Sequence, residues 1–146
     1  MDSVTLRTAS ANDIDDVAGI FARSRAAALS FLPVLHSGTG DIAFFGRYLD
    51  SGLITVAERV GEKLGFMAET PGWIEQLYLE PNQRGQGVGK LLVDAAKQRQ
   101  DRLQLWCFRD NLAGRAFYAW QGFTEIGHTD GDNEEGLPDI LLGWDR

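Results

Sequence analysis

Apolar positions in the first third of the chain follow a strand pattern and then a helix pattern. The alternating segment from Val4 to Arg7 predicts a first strand. Asn12 or Asp13 is placed to cap the helix that follows, in which apolar residues recur on one face. A loop containing Pro33 separates this helix from a second one, which the pattern predicts around Asp41 to Leu49.

Three apolar runs in the middle of the chain predict consecutive antiparallel strands. The runs from Leu53 to Arg59 and from Leu64 to Glu69 flank a polar turn at residues 60–63, which is a hairpin signal. Pro71-Gly72 then turns the chain into a third strand, from Trp73 to Leu79. Antiparallel hairpins at this place are not expected of a Rossmann unit, which alternates strands with crossover helices.

The second half alternates helices and strands. A glycine-rich turn leads into a helix over about residues 87–100, which precedes a strand from Leu103 to Phe108. Asp110 or Asn111 is placed to cap the next helix. The chain closes with two strands, near Phe123 to His128 and Ile140 to Trp144. The predicted order is β-α-α-β-β-β-α-β-α-β-β, a mixed α/β fold.

Composition narrows the class of protein. A chain of 146 residues with 44% apolar side chains is most simply one globular domain over residues 1–146. Its net charge of −7 argues against nucleic acid as a partner. No apolar run approaches a membrane span, and Met1-Asp2-Ser3 begins no signal peptide. With a single cysteine, Cys107, these features predict a cytoplasmic protein without internal disulfides or a membrane partner.

The most informative segment for function runs from Gln83 to Lys90 and contains glycines at positions 85, 87 and 89. It follows an apolar strand and opens a helix. Such a turn directs several backbone N–H groups and the positive helix end at one point, where phosphate binds well. The segment therefore predicts a diphosphate site.

The spacing within this run excludes three familiar phosphate motifs. A P-loop requires Gly where Arg84 stands and a hydroxyl residue where Leu91 stands. A dinucleotide fingerprint requires a third glycine where Lys90 stands. A protein-kinase loop requires a catalytic loop and a DFG signature downstream, and the sequence has neither. The remaining pattern is Arg-x-x-Gly-x-Gly, formed by Arg84, Gly87 and Gly89.

That pattern, preceded by Leu77-Tyr78-Leu79-Glu80-Pro81, resembles the acyl-CoA-binding motif of the GCN5-related N-acetyltransferase (GNAT) superfamily. Asp110-Asn111, Phe117-Tyr118 and Gly122-Phe123 resemble the later family motif, Asn…(Leu/Phe)-Tyr-x-x-x-Gly-Phe. The two motifs together are a specific signal, and the element order agrees over nearly the whole chain. The second segment departs from the pattern at Gly114, where Ala is usual, and at Ala119, where Glu is often seen.

The resemblance implies that acetyl-CoA is the co-substrate and gives individual residues a role. The main chain of Leu77, Tyr78 and Leu79 would pair with the pantetheine arm, and a bulge there would free N–H groups for the acetyl oxygen. Asn111 would both cap its helix and bind pantetheine, and the phenol of Tyr118 would protonate the departing thiolate. The diphosphate would lie on the backbone of the glycine loop, which comprises Arg84, Gly85, Gln86, Gly87, Val88, Gly89 and Lys90.

Acid–base chemistry on the acceptor side is less determined by the sequence. Glu75 precedes Leu79 by four residues in an apolar run, and burial there would make its carboxylate a stronger base; a solvent-facing residue is the alternative. His36 and a chain of water molecules are the other candidates for the general base. Cys107 has no adjacent His, so we expect a buried structural thiol. Two separated His and one Cys give no metal-ligand spacing, so no metal is expected.

Two functions are compatible with these features. The first is an acetyl-CoA-dependent N-acetyltransferase in which a primary amine, on a small molecule or a peptide, attacks the thioester directly. The second is a non-catalytic acyl-CoA-binding or regulatory module on the same fold. For either function the sequence leaves the oligomeric state open, and the resemblance implies a homodimer as one form to expect. Because the net charge would repel anionic CoA, we expect a locally positive donor site, formed by cations around the helix after the glycine loop: Arg84, Lys90, Lys97, Arg99 and Arg102.

Overall fold

Seven strands form one mixed sheet in the computed structural model, which describes residues 3–28, 38–51 and 53–146. The strands are β1 (Thr5–Thr8), β2 (Leu53–Arg59), β3 (Glu62–Thr70), β4 (Trp73–Leu79), β5 (Arg102–Phe108), β6 (Thr124–Thr129) and β7 (Asp139–Asp145). The helices are α1 (Ile14–Ala28), α2 (Gly38–Ser51), α3 (Val88–Arg99) and α4 (Leu112–Trp120), with short 3₁₀ turns at Ala11–Asp13 and Pro81–Gln83. The predicted α/β fold and element order are confirmed. Residues 29–37, which include Pro33 and His36, lie outside the described residues.

The hairpins predicted from the middle of the chain are present. Val60 and Gly61 both have positive φ, 48° and 79°, as the two central residues of a tight hairpin turn with right-handed strand twist require. Gly72, at φ 84°, makes the next turn between β3 and β4. The first turn is shorter than predicted because Glu62 and Lys63 already belong to β3.

Apolar side chains on the two faces of the sheet form two core clusters. On one face, α3 packs Val88, Leu92 and Ala96 against residues of β3, β5 and β7. On the other face, α1 and α2 cover the inner strands with Val17, Ile20 and Phe45, against Ile54, Val56 and Phe66. No helix of the described residues is long and apolar enough to cross a membrane.

The strand order β1-β2-β3-β4-β5-β7-β6 contains one parallel neighbour pair, β4 with β5, which α3 connects. Their register comprises a single described residue pair, Trp73 with Gln104. In contrast, β5 pairs with β7 along its whole length, from Arg102 to Phe108. The sheet therefore opens between β4 and β5 toward their C-terminal ends.

Candidate active site

A cavity of about 530 Å³ lies where β4 and β5 separate. The end of β4, the glycine loop and one side of α4 form its walls. Its lining residues are Ser24, Leu77, Tyr78, Leu79, Arg84, Gly85, Gly87, Val88, Gly89, Lys90, Asn111, Ala113, Gly114, Phe117, Tyr118 and Trp120. Most residues that the two sequence motifs single out thus border one space.

The free edge of β4 supplies backbone donors to this cavity. The N–H of Glu80 donates to the carbonyl of Leu64 at 2.8 Å, so it faces β3. Because N–H directions alternate along a strand, those of Leu77 and Leu79 face the opening toward β5. The predicted bulge, however, is not at Leu77–Leu79: the β3–β4 register places the extra residue at Glu75.

Two glycines of the loop expose their backbone to the cavity. Gly85 and Gly87 have φ of 76° and 84°, and no protein atom lies within 4 Å of the Cβ position of either. Gly87 also caps α3, since its carbonyl accepts from the N–H of Leu91 at 3.1 Å. The loop therefore aims the N-terminus of α3 at open space, as an anion site requires.

The other loop residues differ in their surroundings. A Cβ on Gly89 would lie 3.1 Å from Cζ of Phe117, so this glycine lets α4 approach the first turn of α3. Gln86 does not line the cavity, and its Nε2 donates to the carbonyl of Asn82 at 3.4 Å. Any contribution of Gln86 to phosphate binding would therefore come from its main chain.

Carboxylates neutralise several of the cations that are expected to make the site around α3 locally positive, so that expectation stays a prediction. Lys90 pairs with Asp94 at 2.6 Å, Arg102 pairs with Asp145 at 2.7 Å, and Arg99 pairs with Glu69. Lys97 lies over the ring of Trp144 at 5.0 Å, and burial lowers its pKa. Arg84 instead donates to Ser24 Oγ at 3.0 Å, which ties the loop to α1.

Asn111 caps α4 as predicted. Its Oδ1 accepts from the N–H of Gly114 at 3.0 Å. A Cβ on Gly114 would lie 2.5 Å from Nδ2 of Asn111, so the glycine that departs from the family pattern makes room for this cap. A contact of Asn111 with pantetheine stays a prediction.

Tyr118 lies half-buried in the wall of the cavity, on the side of Leu77 and Leu79. Its ring packs edge-on against Phe117 at 5.0 Å and Phe123 at 5.6 Å, which fixes its direction. Burial raises the pKa of the Tyr118 phenol well above its usual range, and the thiol of Cys107 adds to this effect. The hydroxyl therefore carries its proton at neutral pH.

Cys107 is buried, as expected of a structural thiol. Burial raises its pKa to about 11, so the reactive thiolate form is disfavoured. Its Sγ lies 3.7 Å from the carbonyl of Phe108, to which the thiol donates.

Glu75, the first candidate for the general base, is not part of the cavity wall. Glu75 lies at the bulge and is exposed, and it accepts from Thr70 Oγ1 at 2.8 Å. The expectation that Glu75 is buried, which favoured it as the general base, is therefore wrong. The extra residue of the bulge turns its side chain to solvent. His36 lies outside the described residues. Over the described ranges, no three His, Cys, Asp or Glu side chains gather as metal ligands.

A polar chain leads from Tyr78, which lines the cavity, to two residues outside the sequence motifs, Arg25 and Glu135. The Tyr78 hydroxyl accepts from Nη1 of Arg25 at 3.2 Å, and Nη2 of Arg25 pairs with Glu135 at 3.2 Å. The Tyr78 ring packs against Phe21 and Phe66, and burial raises the pKa of its phenol. In the sequence, the one sign of this chain is the acidic run before Pro138, and that run does not identify Arg25 as the partner of Glu135.

Comparisons with known proteins agree with this geometry. A family model described as an acetyltransferase (GNAT) domain matches residues 50–125. A relative from Archaeoglobus fulgidus, named an uncharacterized N-acetyltransferase, is 27% identical over 80% of this chain and 90% of its own. The peptidyl-lysine N-acetyltransferase YjaB of Salmonella typhimurium is 35% identical over 56% of this chain and 55% of its own.

A solved structure shares the fold. The PaiA N-acetyltransferase from Thermoplasma acidophilum, in complex with coenzyme A, superposes with a TM-score of 0.78 at 18% identity and covers 99% of both chains. The family match spans more than half of this chain and includes β4, the glycine loop and α4. The chain therefore belongs to the GNAT acetyltransferase family.

Proposed function

We propose that this protein is an N-acetyltransferase that transfers the acetyl group of acetyl-CoA directly to a primary amine. One observation carries the proposal: a single cavity brings together the glycine loop, the free edge of β4 and the Tyr118 hydroxyl. These three features match the three demands of the reaction, which are holding the donor, stabilising negative charge on the acetyl oxygen, and supplying a proton to sulfur.

The donor fits the cavity through backbone groups. Gly85 and Gly87 leave open the space that a diphosphate would occupy, and the N-terminus of α3 points to it. The N–H groups of Leu77 and Leu79 are placed to pair with pantetheine or with the acetyl oxygen. The coenzyme A complex of the PaiA structure, which has the same fold, supports this assignment.

Tyr118 is the proton donor in this proposal. The phenol is protonated at neutral pH and can donate to the departing thiolate, and the attacking nitrogen returns a proton as the amide forms. Among the described residues, no carboxylate or imidazole lines the cavity. We therefore infer that the amine arrives already deprotonated, or loses its proton to water, rather than to a side chain in the wall.

The acceptor enters from the face of the sheet opposite α3 and α4, where Tyr78, Arg25 and Glu135 lie. The acidic loop between β6 and β7 carries the exposed residues Asp130 and Asp132, close in sequence to Glu135. Their negative charge favours a cationic acceptor. YjaB is named a peptidyl-lysine N-acetyltransferase, which supports a lysine side chain as the amine.

A thiol-release assay with acetyl-CoA and a panel of amines tests the proposal. The panel contains free polyamines, lysine-containing peptides and peptides with free N-termini but no lysine. We expect turnover with at least one class. CoA binding without turnover on any amine would instead identify a non-catalytic acyl-CoA-binding module, and absence of binding would refute both.

A further inference from the structure

Helix α4 is strongly apolar, yet none of its nine residues is buried. Arg115 is its one charged residue. A helix of this composition normally buries an apolar face against the protein. Phe117 and Tyr118 pack against the core of the sheet. The side formed by Ala113, Gly114, Phe117 and Trp120 lines the cavity, and a ligand there would cover it.

Trp120 stands at the C-terminal end of this side and is 76% exposed. Phe117, three residues earlier, lies beside Gly89, where a Cβ would be 3.1 Å from Cζ of its ring, so α4 packs close to the first turn of α3. The indole therefore borders the same cavity as Gly85 and Gly87. The motif residues around it, Tyr118 and Gly122, assign no role to position 120.

We propose that the indole of Trp120 is the stacking surface for the adenine base of CoA. The inference rests on the proposed function, since it takes CoA as the donor. The diphosphate joins two arms: pantetheine extends toward Leu77 and Tyr118, and the adenosine must leave the glycine loop in another direction. Trp120 offers a planar aromatic surface within the same cavity. A purine stacks favourably on such a surface whatever hydrogen-bonding groups the edges of the base carry.

Calorimetric titration with two ligands separates the nucleotide part of the donor from its pantetheine arm. CoA contains adenosine, whereas 4′-phosphopantetheine has the pantetheine arm and a phosphate but no base. Trp120→Ala removes the stacking surface and Trp120→Phe retains a smaller one. Trp106→Ala is the matched control, because Trp106 is also exposed (47%) but does not line the cavity.

We expect Trp120→Ala to weaken CoA binding about tenfold and to leave 4′-phosphopantetheine binding unchanged. Trp120→Phe should stay within about threefold of the wild type, since a phenyl ring still stacks. Trp106→Ala should change neither affinity. Intrinsic fluorescence gives a second readout: CoA should quench the wild type and Trp106→Phe more strongly than Trp120→Phe.

Four outcomes would overturn the inference. If Trp120→Ala binds CoA as tightly as the wild type, the base does not stack there, and the proposed function is untouched. Equal weakening of both ligands would show that the substitution disturbs the shared pantetheine and phosphate site. A shift from dimer to monomer with unchanged CoA affinity would show that a second copy covers Trp120. If the wild type does not bind CoA at all, both the inference and the proposed function fail.

Discussion

The two sides of the opening between β4 and β5 are built from different kinds of groups. On the side of α3 and α4, the backbone of Gly85 and Gly87 and the N–H groups of β4 point into the cavity. On the opposite side, the chain Tyr78–Arg25–Glu135 joins three distant segments through side chains. A backbone site suits a common structure, such as the proposed CoA donor, whereas a side-chain site can change its partner with few substitutions. Donor chemistry is therefore easier to infer here than acceptor identity.

The largest effect should come from the proposed proton donor, Tyr118. We expect Tyr118→Phe to lower kcat about 100-fold or more with CoA affinity unchanged, because the leaving thiolate loses its proton donor. Steady-state kinetics and CoA titration measure the two quantities. Tyr48→Phe is the matched control, since Tyr48 packs on Phe44 and Phe45 away from the cavity. An equal loss of kcat in both variants would point to a packing effect instead.

The pH profile of the wild type gives a separate test of Tyr118. Because burial raises the pKa of this phenol, the protonated donor persists to higher pH than an ordinary tyrosine allows. The rate should rise as the amine deprotonates and should not fall before about pH 10, the ordinary value for tyrosine. A decline that begins near neutral pH would show that another group donates the proton.

Gly87→Glu should weaken binding of the CoA donor and leave the acceptor side unchanged. A carboxylate at this position would project into the space of the diphosphate and repel it, so we expect CoA affinity to fall about 100-fold. Gly61→Glu is a matched control, because Gly61 has a similar φ of 79° and equally open surroundings in the β2–β3 turn. Both substitutions strain the backbone, but only the first should affect CoA titration. If Gly87→Glu retains affinity, the loop does not hold the diphosphate.

Arg25→Ala should weaken binding of the amine acceptor and leave the donor side unchanged. It removes the donor to the Tyr78 hydroxyl and leaves half-buried Glu135 without its cation, so we expect the KM of the amine to rise about tenfold. CoA affinity should not change. Arg23→Ala tests specificity, since Arg23 lies on the same helix and pairs with Glu80 on the surface. An equal increase of KM in both variants would mean that α1 acts through its general charge.

The two sides also differ in how far the sequence predicts them. The loop and the Asn111 cap are local, so residue spacing alone identifies Gly87, Gly89 and Asn111, and the periodicity predicts their helices. The Arg25–Glu135 pair joins residues 110 positions apart, and only tertiary structure can bring such residues together. The Lys90–Asp94 pair was visible in the sequence as an i,i+4 spacing, and it weakens the expected positive field.

Strand register explains the remaining error, which concerns Glu75. The alternation of apolar and polar residues predicts which side chains share a face of a strand. It does not predict a bulge, because the position of an extra residue depends on the pairing with the neighbouring strand. Here Glu75 is the extra residue of β4, opposite the Ala68–Glu69 step of β3. The bulge turns the carboxylate to solvent and preserves the inward direction of Ile74 before it.

Glu75→Gln should therefore have the smallest effect of the substitutions considered. The carboxylate lies outside the cavity wall, and its hydrogen bond to Thr70 can be replaced by the amide. We expect kcat/KM to change less than about threefold, with the acidic limb of the pH profile still governed by the amine. Loss of that limb in Glu75→Gln would restore Glu75 as the general base, acting through water. Such a base would belong to β4, the strand proposed to pair with the donor. Donor binding and acceptor activation would then no longer be assigned to different sides of the opening.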